Sequence, residues 1–370
     1  MTVGSGICRG CLPLFYNGLH STSNLRRAGE SGVYHIRRET ILQLIETSLP
    51  EVAERSISIE EKCKLYGLKR LRIEDKKLFD NYVKGEEVNL CDYSFANNFI
   101  WKGSIELLWK LIHNNFCLFG VTSKGMCMML PPLGKNNIQN TLHECFSLMR
   151  EMNESRGFES YINYVYEDFL TLFDRGSFRI AEGYPDYLYN TSDLIKLAGG
   201  KYEKKRNEIN YFKKHYTASF EKFYPRHIAD ALLMIDQWKR EKIQESNLSN
   251  HNENHYQYSL VHEAEAAKCA IIFSEELGLH GAIITIDGRI EGITLGEPIA
   301  SRTASVLIEK TNNKFYGMPQ FIYQQFCSSP FSETAYINAG EDWGIEGLRR
   351  AKMSYHPCVL AKKFLIYEKP

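Results

Sequence analysis

The stretch that predicts the fold is Gly281–Leu295, which reads GAIITIDGRIEGITL. Apolar and β-branched residues on both sides of Asp287-Gly288 predict two strands, and Asp-Gly is a typical two-residue hairpin turn. A helical pattern over Val261–Leu277 precedes the hairpin, and an alternating strand pattern over Arg302–Lys310 follows it. The segment therefore predicts a helix, a β-hairpin and a third strand in sequence.

The chain after this segment continues to alternate. We predict in turn a helix, a strand, a helix and a strand over Pro319–Phe326, Ala335–Asn338, Ile345–Tyr355 and Val359–Tyr367. The order of helix, hairpin, strand, helix, strand, helix and strand is that of the GNAT acyltransferase fold. An α+β domain of this type is therefore expected at the C-terminal end.

A less distinct copy of the pattern begins at about Lys76. We predict a helix over Ser94–Ile112, strands over Phe116–Val121 and Met126–Leu130, and a helix over Gln139–Met152. The fold class expected is thus α+β, with two tandem GNAT-like halves over residues 76–215 and 216–370. Within residues 1–75, the stretch Gly4–Gly32 is rich in Gly, Ser and Asn. We predict that residues 1–75 form a poorly structured N-terminal extension with one short helix over Glu39–Thr47.

Composition excludes several classes of protein. Lys and Arg number 45, Asp and Glu also number 45, and hydrophobic residues make up 44% of the chain. No apolar run approaches the roughly 20 residues that a membrane-spanning helix needs, and no secretory signal is visible, so we expect a cytoplasmic protein. A net charge of zero argues against a broad nucleic-acid-binding surface, so any phosphate binding must depend on a local basic patch.

The cysteines and histidines do not predict a metal site. Ten cysteines without a signal peptide indicate reduced thiols. The Cys8/Cys11 pair has too few neighbouring ligands for zinc, so two incidental thiols are the better interpretation. The polar stretch Asn247–Tyr256 predicts a surface loop, and we expect no functional metal site at His251, His255 and His262.

A local basic patch lies at Lys201–Lys214, which has six basic and two acidic side chains. At helical spacing its apolar stripe consists of Tyr202, Ile209, Phe212 and Tyr216. Lys205 falls in the middle of that stripe, Arg206 falls at its margin, and Lys204 points the opposite way. A buried lysine needs an anionic partner, so Lys205 is a candidate ligand for an anion. The alternative is a lysine that extends back to water.

A second lysine interrupts an apolar stripe, in the helix predicted over Ile345–Tyr355. Its inward stripe is predicted to contain Ile345, Leu348, Ala351 and Tyr355, and Lys352 projects from within it. Glu341 and Asp342 precede this helix, and Asp342 has helix capping as an alternative role. A third candidate, Glu309, is expected to share one face of its strand with Thr303, Ser305 and Leu307.

Several motifs resemble a known family. The stretches that carry the resemblance are Tyr187–Leu194, Gly200–Asn207, Tyr336–Asn338, Glu341-Asp342, Gly344–Arg349 and Ala351–Tyr355, with Cys91–Asn97, Trp101 and Glu309-Lys310. They look like the phosphatidylglycerol lysyltransferase C-terminal-like family, over about residues 76–370. This chain has Ala339-Gly340 where the family usually has Arg-Glu, and Trp343 where it usually has Leu.

The resemblance implies a tandem GNAT fold similar to enzymes that move an aminoacyl group from a charged tRNA onto a lipid head group, a peptide or a small amine. The lipid-modifying members carry a large membrane domain that is absent from this sequence, so we expect a soluble acceptor. No cofactor is expected, and aminoacyl-tRNA is the expected co-substrate. The expected catalytic residues are Glu309, Asp342 and Lys352. The expected substrate-binding residues are Lys205, Arg206, Asn207, Lys310, Asn338, Glu341 and Arg349.

Two alternatives remain. An acyl-CoA-dependent N-acyltransferase needs a glycine-rich turn whose backbone N–H groups hold pyrophosphate, and the turn after Lys310 offers only Gly317. A non-catalytic ligand-binding relative is favoured by the Ala339-Gly340 departure.

Overall fold

The computed structural model describes residues 59–154, 157–248 and 253–369. Two compact units divide the chain, Met1–Tyr66 and Gly67–Pro370. The helix predicted over Glu39–Thr47 and the Cys8/Cys11 pair lie outside the described residues. Where the predicted extension is described, it contains the helix Ile59–Tyr66 and the short strand Lys69–Arg70.

The residues that the structure describes form eleven α-helices and fourteen strands. The helices are α1 Ile59–Tyr66, α2 Lys76–Val83, α3 Phe95–Ile100, α4 Ile138–Asn153, α5 Thr191–Lys196, α6 Glu203–His215, α7 Ile228–Leu248, α8 Glu253–Ile272, α9 Ser274–Leu277, α10 Met318–Ser328 and α11 Glu346–Met353. The strands are β1 Lys69–Arg70, β2 Glu106–Ile112, β3 Asn115–Val121, β4 Met126–Met128, β5 Tyr161–Tyr166, β6 Phe178–Glu182, β7 Asp186–Asn190, β8 Ala218–Lys222, β9 His280–Ile286, β10 Arg289–Ala300, β11 Thr303–Thr311, β12 Tyr336–Asn338, β13 Val359–Ala361 and β14 Lys363–Glu368.

The strands form two mixed sheets. The first has the order β1-β2-β3-β4-β5-β14-β6, and the second has the order β13-β7-β12-β11-β10-β9-β8. β9 and β10 form the predicted hairpin, with Asp287 and Gly288 both at positive φ as a tight turn requires. β11 and β12 pair in parallel over Thr303–Ser305 and are joined by α10. The predicted GNAT-like order of the C-terminal half is therefore confirmed.

Each sheet contains a strand from the other half of the chain. β7 follows β6 in sequence but lies in the second sheet, between β12 and β13. β14, the last strand, lies in the first sheet between β5 and β6. The boundary predicted between residues 215 and 216 consequently does not coincide with the division between the sheets, and it stays a prediction about the folding units.

Three element predictions were wrong. The helix predicted over Ser94–Ile112 ends at Ile100, and strand β2 follows it. The prediction missed this strand because apolar residues buried on both sides of a strand show no clear alternation. The strand predicted over Val359–Tyr367 is divided between both sheets, as β13 and β14. Every described residue of the predicted loop Asn247–Tyr256 belongs to α7 or α8, because polar composition indicates exposure rather than irregular backbone.

The core of the second sheet lies against α10. It includes Ala282, Ala304 and Ile337 from the sheet together with Phe326 and Cys327 from α10, and all five are buried. Among the described helices, none is both long enough and apolar enough to cross a bilayer.

Candidate functional site

A β-bulge in β11 decides which way Glu309 faces. Leu295 of β10 pairs with Ile308, but the next residue, Gly296, pairs with Val306, so Leu307 is an extra residue in β11. The bulge interrupts the alternation that predicted Glu309 on the face of Thr303 and Ser305. Instead, burial raises the pKa of both Tyr323 and Cys327 on α10, and the nearby Glu309 charge raises both further. Glu309 therefore lies on the α10 side of the sheet.

The orientation predicted for Lys205 is confirmed. Lys205 is 9% exposed and Lys204 is exposed, as the helical stripe requires. The Lys205 ammonium lies 4.2 Å from the centre of the Tyr355 ring, a cation–π contact. Burial lowers the pKa of Lys205, and the carboxylates of Glu208 and Glu309 partly offset that effect. Among the described residues, Lys205 makes no hydrogen bond or ion pair.

Glu309 lies among cations without bonding to one. Burial raises its pKa to about 7, although the charges of Lys310, Lys352 and Lys205 act in the opposite direction. Its side chain is partly exposed, and no hydrogen bond or ion pair joins its carboxylate to another described residue. A carboxylate with a pKa near 7 exchanges protons readily at neutral pH, as a general base must.

Two further buried polar atoms lack hydrogen-bond partners among the residues that the structure describes. They are Oε2 of Glu208 and the hydroxyl of Tyr323. The Tyr323 ring lies 5.2 Å from the Tyr355 ring, which covers Lys205. Lys205, Glu208, Glu309, Tyr323 and Tyr355 together form what we call the Lys205 cluster. Buried polar groups without partners are rare in folded proteins, so these two atoms are candidates for contact with a ligand.

Lys352 connects the Lys205 cluster to a group of carboxylates. Its ammonium donates to the carbonyl oxygen of Ala339 and lies 5.8 Å from the centre of the Tyr187 ring. Burial lowers the pKa of Lys352, and the charges of Asp186 and Glu341 partly offset this. Lys352 is thus a buried ammonium near acidic groups on one side and Glu309 on the other.

The inward stripe predicted for α11 was only partly correct. Ile345 and Ala351 are exposed, and no residue of α11 is fully buried. Leu348, Lys352 and Tyr355, at spacings of four and three, form the partly buried face instead. The helix is short and covers the edge of the domain, so its apolar pattern alone did not fix its orientation.

A buried lysine, Lys363, holds three carboxylates together. Its ammonium lies 2.7 Å from Asp92, 2.9 Å from Asp186 and 2.8 Å from Glu341. The side chains of Lys363, Asp92 and Asp186 are at most 6% exposed. We call these four residues the Lys363 cluster. It contains one positive charge for three carboxyl groups.

The pKa values of the Lys363 cluster shift in different directions. Burial raises the pKa of Asp92 to about 7, against the effect of Lys363. Burial also raises the pKa of Asp186, but Lys363, Asn338 and the backbone N–H of Cys91 outweigh it, and the net shift is downward. The three carboxylates in turn hold the pKa of Lys363 well above its usual value, against the effect of burial. The ionised form of Asp186 and the charged form of Lys363 are therefore mutually stabilised.

Asn338 ties this cluster to the end of β12. Its side-chain amide donates to Asp186 at 2.8 Å and to the carbonyl of Asn89 at 2.6 Å, and its oxygen accepts from the N–H of Gly340 at 2.6 Å. The predicted site residues Asn338 and Glu341 thus both contact the Lys363 cluster. All hydrogen-bonding groups of the Asn338 side chain contact the protein itself.

Asp342 forms a separate network. It is buried and accepts hydrogen bonds from the hydroxyl of Tyr187 at 2.6 Å, Nε of Arg349 at 2.8 Å and the N–H of Gly344 at 2.8 Å. Burial raises the pKa of Asp342, but these bonds outweigh it and the net shift is downward. Asp342 does not cap α11, because the N-cap residue of that helix is Ile345 and Gly344, whose N–H bonds to Asp342, precedes it. Asp342 is a fixed anion that orients Tyr187.

Three of the predicted substrate-binding residues lie elsewhere. The guanidinium of Arg206 donates to the backbone carbonyls of Leu197 and Gly199, at the end of α5. Asn207 is exposed. Lys310 faces α7 and α8, where its ammonium pairs with Glu263 and lies 4.7 Å from the Trp238 ring centre. The structure does not bring these three into the Lys205 or Lys363 clusters.

The turn between β11 and α10 is covered by α6. Gly317 has a φ of +85°, and a Cβ atom there would collide with the backbone carbonyl of Glu208. In the acyl-CoA alternative, the N–H groups of this turn would have to approach a pyrophosphate. The packing of α6 against Gly317 disfavours that alternative.

One described group of side chains has the spacing of metal ligands. Ligand atoms of Cys91, Asp92 and Asp186 lie within 4.8 Å of one another. The ammonium of Lys363 bonds both of these carboxylates and supplies a positive charge there. Of the histidines considered above, His251 and the side chain of His255 are outside the described residues.

Sequence reasoning did not find six residues of these clusters as site residues: Asp92, Asp186, Glu208, Tyr323, Tyr355 and Lys363. Asp186 and Lys363 each begin a strand, and Lys362-Lys363 gives no indication of which lysine faces inward. Tyr323 lies on the apolar face of α10, where a hydroxyl is not distinguished from a core aromatic residue. Only the tertiary contacts bring these groups together.

Comparisons with known proteins agree with this fold. The chain is an α+β protein with two GNAT-like sheets, and the sequence profile of the family described as phosphatidylglycerol lysyltransferase, C-terminal, matches residues 87–367. The chain therefore belongs to that family. No curated protein is similar enough to the chain to count as a match.

Two solved structures are similar to it. A conserved protein of unknown function from Bacteroides thetaiotaomicron is 26% identical with a TM-score of 0.70, over 82% of this chain and 99% of that one. L-PGS from Bacillus licheniformis is 14% identical with a TM-score of 0.53, over 79% of this chain and 91% of that one. At that identity, the likeness to L-PGS shows the fold alone.

Proposed function

We propose that this protein is an aminoacyltransferase that moves the aminoacyl group of an aminoacyl-tRNA to an amine or hydroxyl acceptor. The observation that carries the proposal is Glu309, a carboxyl group with a pKa of about 7 that lies near Lys205 and Lys352 and bonds to neither. Membership of the lysyltransferase family supports the type of reaction. The acceptor is a small molecule, a peptide or a lipid head group.

The proposed step is an acyl transfer. The nitrogen of the acceptor amine attacks the carbonyl carbon of the aminoacyl ester, and a C–N bond forms. Glu309 takes the proton from the attacking nitrogen. The C–O bond to the terminal ribose of the tRNA then breaks, and the proton passes to the ribose oxygen. A hydroxyl acceptor reacts in the same way through oxygen.

The two lysines stabilise negative charge in this scheme. The tetrahedral intermediate carries an oxyanion, and a preorganised cation beside it lowers the barrier. Lys352 has one donor on Ala339 and two further N–H groups, so we assign it to the oxyanion. Asp342 and Arg349 hold Tyr187 beside Lys352 and are assigned a positioning role.

The Lys363 cluster supports the binding of the aminoacyl ammonium. Three carboxyl groups around one lysine leave excess negative charge beside Lys352. Glu341, the most exposed of the three at 15%, is the group that we assign to the ammonium.

The test is a transfer assay with purified protein, labelled aminoacyl-tRNAs and a mixture of amine acceptors. We expect label to leave the tRNA and appear on an acceptor, and we expect Glu309→Gln to slow this by a factor of about 10²–10⁴. The exposed Glu333→Gln is the matched control and should keep the wild-type rate. Release of label no faster than spontaneous hydrolysis, for every aminoacyl-tRNA, would contradict the proposal and favour a non-catalytic relative.

A further inference from the structure

We propose that the Lys205 cluster binds an acceptor which carries a carboxylate or phosphate group close to its reacting amine. This inference rests on the proposed function and names the class of acceptor. It excludes simple amines, such as ethanolamine, as the preferred ligands.

The first observation is that Lys205 is a buried cation that forms no ion pair with a described residue. It is 9% exposed, and no described residue forms an ion pair or hydrogen bond with it. Removing an ammonium from water costs several kcal/mol unless an anion or hydrogen-bond acceptors replace the water. The exposed lysines of the same helix, such as Lys204 and Lys213, incur no such cost. Lys205 is thus the lysine of α6 that is available to bind an anionic ligand.

The second observation is that Glu208 does not neutralise Lys205. The two residues are three positions apart on α6, a spacing that allows an ion pair. Nevertheless, the Lys205 ammonium lies over the Tyr355 ring, and no described residue hydrogen-bonds to the buried Oε2 of Glu208, whereas Oε1 accepts from the hydroxyl of Tyr316 at 3.5 Å. The Lys205 ammonium and Oε2 of Glu208 are therefore left for a ligand. A ligand with an anion and an amine complements both.

The third observation is the buried hydroxyl of Tyr323. It lies on α10, beside Tyr355 and within the influence of the Glu309 charge, and no residue in the described part of the chain hydrogen-bonds to it. A tyrosine hydroxyl can donate to a carboxylate or phosphate oxygen. The cluster therefore contains two hydrogen-bond donors, Lys205 on α6 and Tyr323 on α10, together with the base Glu309. An amine held by its own anionic group at Lys205 would lie near the base that activates it.

Binding to the full chain tests the inference, with three probes that share an aminoethyl unit. Ethanolamine has no anion, L-serine adds a carboxylate, and O-phosphoethanolamine adds a phosphate. Dissociation constants are measured by calorimetry without tRNA. For the wild-type protein, we expect at least one anionic probe to bind ten or more times as tightly as ethanolamine. The better of the two identifies the anion as carboxylate or phosphate.

Lys205→Met and Lys204→Met are the matched variants, since they remove neighbouring lysines from opposite faces of α6. Lys205→Met should reduce the preference for the anionic probe to less than threefold, whereas Lys204→Met should retain it. Equal binding of the three probes to the wild type, a preference that survives in Lys205→Met, or binding of none of them would overturn the inference.

Thermal unfolding separates ligand binding from a structural role. If Lys205 is kept for a ligand, Lys205→Met should unfold at the same temperature as the wild type or higher, because an unpaired buried charge has been removed. If Lys205 instead stabilises Glu208, the variant should unfold at a lower temperature, and its probe affinities should equal those of the wild type.

The inference and the proposed function can fail separately. If anionic probes bind through Lys205 but no label leaves any aminoacyl-tRNA, the function is wrong and the binding site stands. If label moves to ethanolamine as fast as to L-serine, and Lys205→Met does not change that ratio, the function stands and the acceptor class is wrong.

Discussion

The ammonium of Lys363 lies 2.9 Å from Oδ1 of Asp186, and the two residues begin the two strands that the sheets exchange. Asp186 starts β7, which pairs in the second sheet, and Lys363 starts β14, which pairs in the first. Both side chains are at most 2% exposed. The ion pair therefore fixes the crossing point of the exchanged strands, next to Asn338 and Lys352.

Lys363→Met should destabilise the protein strongly. The variant leaves Asp92, Asp186 and Glu341 without their shared cation, and removing one partner of a buried ion pair costs about 3–5 kcal/mol. Urea unfolding at pH 7 measures the loss. Lys362→Met, whose side chain is 52% exposed, is the control and should change the free energy of unfolding by less than about 0.5 kcal/mol. A loss below about 1 kcal/mol for Lys363→Met would contradict the assigned role.

Glu309→Gln should stabilise the protein at alkaline pH. The pKa of Glu309 is about 7 in the folded state and about 4.3 in an unfolded chain. Between these values the folded state holds a proton that the unfolded state has lost, so the contribution of Glu309 to stability falls as pH rises. Compared with the wild type, the variant should gain about 3 kcal/mol from pH 4 to pH 8. The free energies of unfolding of variant and wild type are measured with denaturant across this range. A difference between them that does not vary with pH would contradict the prediction.

Asp342→Asn should have the opposite pH dependence. The lowered pKa of Asp342 means that its ionised form stabilises the fold above pH 4 and loses this effect as pH falls through the folded pKa. We expect the variant to lose about 2 kcal/mol at pH 7, since charged hydrogen bonds to Tyr187 and Gly344 are weakened. The difference from the wild type should narrow below about pH 4. Glu346→Gln, which changes an exposed residue of α11, is the control.

Gly317→Ala should disturb the packing of α6 on α10. A Cβ atom would collide with the Glu208 carbonyl, and φ at Gly317 is +85°. Gly288→Ala is matched, because φ there is +74° and no atom lies within 4 Å of a new Cβ. The backbone strain should cost each variant about 1 kcal/mol, and the collision should add about 1–3 kcal/mol at Gly317. Urea unfolding measures both losses of stability. Equal losses for the two variants would show that α6 moves away from the new Cβ atom at no cost.

Local sequence was sufficient for much of the second sheet. The Asp287-Gly288 turn and its flanking apolar residues predicted β9 and β10, because a hairpin depends on neighbours in sequence. The stripe Tyr202, Ile209 and Phe212 predicted the inward face of α6, and Lys205 followed from it. In contrast, Ser94–Ile112 was partly mistaken for a helix, because a strand buried on both faces lacks the alternating pattern.

The sequence by itself determined the neutral charge of the chain, which is a sum over its residues. It also determined the β9–β10 hairpin and the inward direction of Lys205, since each depends on residues within a few positions of one another. Only the tertiary structure decided the rest. The bulge at Leu307 turns Glu309 to the α10 side, because the register of β11 is set by its pairing with β10. Lys363 meets Asp92 and Asp186 although 271 and 177 positions separate them, because the sheets exchange strands. Charges so far apart in sequence leave no local pattern, and only folding places them in contact.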